Sequence, residues 1–101
     1  MQFTAIITGH KRDIHTSNPK ALLAEVRFAD RSLFRDHTYI PLHLVDRLLP
    51  KAHSKKKILI TFEATLTPYT GRNGESIGLS DIVDIRPLKR NITMDEYRSM
   101  L

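Results

Sequence analysis

The chain has 101 residues, enough for one domain that buries roughly two thirds of the surface its unfolded form exposes, and 41% apolar with 27% charged residues is ordinary for a globular protein. No run approaches the ~20 apolar residues of a bilayer span, the start MQFTAIITGHKRD lacks the basic segment of a signal peptide, and the absence of cysteine removes disulfides, thiolate metal sites and thiol nucleophiles together, so a cytoplasmic location is expected. The formal charge of +5 and a pI near 9.8 point to an anionic partner, because a basic surface attracts phosphate backbones and anionic lipids without sequence readout.

From Gln2 to Ile14, Phe3, Ala5 and Ile7 alternate with Thr4, Ile6 and Thr8, the period of two expected of a strand, with a bend at Gly9. His15 to Pro19 reads as a turn, made basic by Lys11, Arg12 and Lys20. A second strand places Leu22, Ala24, Val26 and Phe28 opposite Leu23, Glu25 and Arg27. After a turn at Ala29 to Ser32, a third strand runs from about Leu33 to Ile40. A three-residue hairpin centred on Arg31 sets Phe34 beside Phe28 and Ile40 beside Leu22, leaving Arg27, Arg35, His37 and Tyr39 on the outer face.

Leu42, Val45 and Leu48/Leu49 then recur at helical spacing after Pro41, which predicts a two-turn helix ended by Pro50. Lys51, Lys55, Lys56 and Lys57 lead into the clearest strand, in which Ile58, Ile60, Phe62, Ala64 and Leu66 alternate with Leu59, Thr61, Glu63 and Thr65. Pro68 to Gly74 reads as a hairpin loop with its turn at Asn73-Gly74. In the last strand Ile82 falls on the wrong parity, which a bulge near Gly78 would resolve, and Pro87 is expected to close the strand. Thr93 and Glu96 have the spacing of a capping box ahead of a short helix through Met100. The expected division is a barrel over residues 1–88 and a tail with a helix over 89–101.

A small, mainly β chain must manage its sheet edges, and closing five strands into a barrel does so. The order strand, strand, strand, short helix, strand, strand resembles the OB-fold over about Gln2 to Leu88. The run Lys57 to Ala64, the loop holding Gly71-Arg72-Asn73-Gly74, and Leu79 to Ile85 are similar in layout to small bacterial and phage single-stranded DNA-binding proteins, including primosomal replication proteins of the PriB type. The chain departs from them in lacking tryptophan. The resemblance implies single-stranded nucleic-acid binding, chiefly of DNA, with low sequence specificity, as an accessory to replication or recombination.

On that reading Arg27, Arg35 and His37 contact phosphates, Tyr39 stacks on a base, and Tyr69 and Arg72 grip from the hairpin loop, with Lys55, Lys56 and Lys57 adding contacts. The ordinary alternatives are a solvated strand face, a Tyr69 folded back on the barrel, and a lysine run that aids solubility. Phe3, Phe28, Phe34 and Phe62 all fall on apolar parities and are expected in the core. The five histidines, His10, His15, His37, His43 and His53, form no helical pair, so no metal site or cofactor is expected. Asp81 and Asp84 are three apart on a strand and face opposite sides, which argues against an acid/base pair, and no enzyme motif is present. The alternative function is a non-catalytic protein-interaction module, an adaptor or inhibitor, whose C-terminal helix has Met94, Tyr97, Met100 and Leu101 on one apolar side that would pack on its own barrel, on a second copy or on a partner.

Overall fold

The computed structural model describes residues 1–12, 19–48, 57–71 and 74–101. Five strands, β1 (Gln2–Arg12), β2 (Pro19–Phe28), β3 (Leu33–Pro41), β4 (Lys57–Gly71) and β5 (Gly74–Ile92), form one antiparallel sheet in the order β3-β2-β1-β4-β5, followed by helix α1 (Met94–Ser99). Among the described residues the sheet is not closed by a ladder between its edge strands. Its main core takes Phe3, Ala5 and Ile7 from β1, Ile58, Ile60, Phe62 and Ala64 from β4, and partly buried Phe28, Phe34, Leu79, Ile82 and Ile85 from the other three strands. The four phenylalanines meet here as expected, with Phe3 stacked on Phe62 at 5.5 Å between ring centroids and tilted against Phe28 and Phe34.

The opposite, outer face is apolar at the centre of the sheet. Ile6 and Leu59, on the parity opposite the main core, form a second buried cluster with Ile92 and Tyr97, so β1 and β4 are covered on both faces. The cover is α1, which begins with the expected capping box. Thr93 Oγ1 accepts from the Glu96 amide, and the Glu96 side chain accepts from the Thr93 amide.

Several expectations are corrected. The second strand buries Ala21, Leu23 and Val26, not Leu22 and Ala24. The cause is a bulge: β2 takes three steps from Ala24 to Arg27 while β1 takes two from Ile6 to Thr4, and Glu25 sits there at φ 48°. The β2–β3 register is also one residue away from the expected one, with Ile40 beside Ala21 and Tyr39 beside Leu22. The turn has the expected three residues but is centred on Asp30, closed by Phe28 and Ser32 with Asp30 capping the Ser32 amide and Arg31 at φ 74°; this moves the register by two, and an irregularity between Val26 and Arg27 takes one back. The helix expected after Pro41 is instead two 3-10 turns, Leu42–Leu44 and Asp46–Leu48, because Val45 at φ −129° interrupts them. A segment this short gains too few bonds to nucleate an α-helix and settles by burying Val45 and Leu48.

The described part of the expected hairpin loop is also strand. Pro68 to Gly71 pair with Gly74 to Ile77, so β4 and β5 run on past the end of β1 as a two-stranded arm, with Gly74 at φ 102° beside its tip. Gly78 keeps a regular pair with Thr67. Bulges fall instead at Asp81 and Asp84, both at positive φ, and bring Leu79, Ile82 and Ile85 inward at a spacing of three; the ladder shifts again between Pro87 and Lys89 and between Arg90 and Ile92, where Asn91 has φ 62°. Pro87 pairs with Ile60 and the strand continues, as an edge strand permits when the missing donor faces outward. The sheet therefore reaches Ile92, beyond the expected boundary at 88.

Candidate nucleic-acid interface

Edge strand β3 presents His37 and Tyr39 on its outer parity, while Thr38 and Ile40 turn inward. The two rings meet edge to face at 6.4 Å, and Tyr39 stays 47% exposed. Their β2 partners are Ala24 and Leu22, small or apolar residues that leave the rings uncovered. Lys20, exposed and on the same parity as Leu22, stands two pairs further along, opposite Pro41.

Arg35 shares this parity but is spent on the fold. Its Nη2 donates to the Ile77 carbonyl at 2.7 Å and to Ser76 Oγ at 3.2 Å, and its guanidinium carbon lies 4.8 Å over the Phe34 ring. The sheet thus curls until β3 meets β5, and one arginine joins the two edges at the base of the arm. Ser76 is the cross-strand partner of Tyr69. Tyr69, in turn, lies over glycines: a Cβ on Gly78 would stand 3.1 Å from its Cε1, and one on Gly71 3.4 Å from its Cε2. The ring is held flat on the arm and is still 52% exposed. An aromatic over a strand glycine fixes its own orientation while leaving one face free.

The remaining expected contacts are placed differently. Arg27 is mostly buried, donating to the Arg31 carbonyl at 2.9 Å and to Glu25 Oε1 at 3.2 Å, and is not open to a phosphate. Lys57 is half-buried opposite Ile92, with β1 and β2 between its strand and β3, so the fold does not bring it to Tyr39. Lys55, Lys56 and Arg72 lie outside the described residues, as do Lys51, Asn73 and residues 15–18 of the turn expected at His15 to Pro19, while Pro19 itself opens β2. Lys20, Ser76 and Gly78 were not anticipated as parts of the site. Gly78 carried a signal, because a glycine inside a strand marks either a bulge or a close approach, and here it is the approach.

Among the described residues no group of three or more histidine and acidic side chains gathers as a metal site would require. Of the three surfaces open to the apolar side of the tail, Tyr97 takes its own sheet, where it is 2% exposed, and Met94 is partly buried beside it. Met100 and Leu101 stay 52% and 41% exposed. Glu96 bonds Lys89 at 2.9 Å, and this ammonium holds the carboxyl below its ordinary value.

No family model, curated protein or solved structure matches this chain.

Proposed function

We propose that the protein binds single-stranded nucleic acid, chiefly DNA, with low sequence specificity and without catalysis, as a replication or recombination accessory in the cytoplasm. On this reading the curled sheet is an OB-like barrel, and the strand runs along β3 from Tyr69 on the arm past His37 and Tyr39 to Lys20. The observation that carries the reading is the exposure of Tyr39 and Tyr69, at 47% and 52%, on the two elements that Arg35 joins. An exposed ring supported from behind suits a base of any identity, and stacking contributes on the order of 1–3 kcal/mol per base. The formal charge of +5 supports the same partner.

The test is fluorescence anisotropy of a labelled oligo-dT at low and physiological salt, with a duplex of equal length as control. Preference for the single strand, weakened by salt, is expected. Tyr39→Ala and Tyr69→Ala are each expected to weaken binding about tenfold. Unchanged affinity in both variants would remove the stacking mechanism.

A further inference from the structure

We infer that the C-terminal helix positions this interface, through Glu25. The inference rests on the nucleic-acid reading of the outer face, and Tyr97 and Arg98 are the positioning residues.

Glu25 has φ 48°, a conformation that glutamate disfavours and that must be held by its surroundings. The holding contacts come largely from α1. Tyr97 donates its O–H to the Glu25 carbonyl at 3.0 Å, and Arg98 Nε bonds the Glu25 carboxylate at 3.2 Å. Arg27 grips the other carboxylate oxygen from within β2. Tyr97 itself is fixed by burial against Ile6, Leu59 and Ile92, with Thr4 Oγ1 3.5 Å from its hydroxyl.

What the bulge controls is the neighbouring strand. Glu25 lies between Ala24, which pairs with His37, and Val26, which pairs with Arg35. The backbone conformation at this one residue therefore sets where His37 sits and how Arg35 reaches the arm. A six-residue helix is not stable alone, so its grip depends on its cap and on these contacts. Chain end and interface are joined in four steps: Tyr97, the Glu25 carbonyl, the bulge, and the β3 residues 35–37.

The decisive variant is Tyr97→Phe, which keeps the ring in its cluster and removes only the O–H bond. In ¹H–¹⁵N spectra the amides of Arg35, Asp36 and His37 are expected to shift, and oligo-dT affinity to weaken about fivefold, the equivalent of one neutral hydrogen bond. Adding Glu25→Gly should restore affinity to within about twofold of the parent, because glycine adopts positive φ unaided. A role in packing alone would give the reverse, with the second change deepening the loss. Arg98→Ala, at an exposed position, should move the same amides by less, and it serves if the tyrosine variant folds poorly. Unmoved amides at 35–37 in both single variants would overturn the inference. If the parent protein fails to bind oligo-dT, the nucleic-acid reading falls, and the amide shifts still decide whether α1 positions these residues.

Discussion

At the scale of single residues, Tyr69 and Gly78 form a unit. The ring covers a glycine whose missing side chain is what lets it lie flat, and a Cβ there would press 3.1–3.3 Å from two ring carbons. Because Tyr69 is half exposed it can lift away, so a larger residue at 78 would displace the ring without breaking the strand. Gly78→Val is expected to weaken oligo-dT binding about tenfold, as losing one stacked base would, with a thermal midpoint equal to or above the parent's because valine favours strand. Anisotropy together with a melting curve checks this, and weakened binding with an unfolded arm would count against it. The contrast between Arg27 and Arg35 belongs at the same scale. Both looked like phosphate contacts, yet each has its guanidinium bonded within the fold, one to Glu25 and the Arg31 carbonyl, the other to the arm. Sequence gives the charge of an arginine, and tertiary neighbours decide where that charge is used.

At the scale of elements, α1 depends on a carboxylate whose pH response has a definite sign. Glu96 caps the helix and pairs with Lys89, and the ammonium lowers its pKa in the folded state. A group depressed in this way stabilises the fold fully above its ordinary value, and the contribution is lost as pH falls through the folded one. Acidification from about pH 6 to about pH 3 should therefore loosen α1, seen as growing solvent exposure of the Tyr97 ring in NMR, and Glu96→Gln should flatten that dependence while keeping the cap. An identical acid profile in the variant would assign the response to another group. The capping box was legible in the sequence because its two residues are three apart and interact locally. So were the inner faces of β1 and β4, where Phe3, Ala5, Ile7 and Ile58, Ile60, Phe62 keep strict alternation. The faces of β2 and β5 were not, since bulges at Glu25, Asp81 and Asp84 shift the parity. A bulge is set by how a strand must bend to pack on its neighbours, and alternation within one strand does not record that. The arm was hidden for a related reason: Pro68 and Gly71 are turn residues by habit but sit in a two-stranded ribbon.

At the scale of the whole molecule, the balance between charge and stacking follows from where the cations lie. A chain of formal charge +5 would ordinarily be expected to bind by releasing many counterions. Along β2 and β3, however, Arg35 is engaged internally and Arg27 is mostly buried, which leaves Lys20, among the described residues, as an exposed cation on the Tyr39 row. The stacking rings should therefore set the affinity at fixed salt, while a few lysines set its salt dependence. Each phosphate contact on a single strand contributes about −0.7 to the slope of log K against log salt. Lys20→Ala should make that slope shallower by about 0.7, whereas Tyr39→Ala should lower the whole line and leave its slope unchanged. Titrations of oligo-dT at four or more salt concentrations separate the two effects. A Tyr39 variant that changed the slope, or a Lys20 variant that lowered the line in parallel, would mean that the phosphate backbone follows a course other than β3.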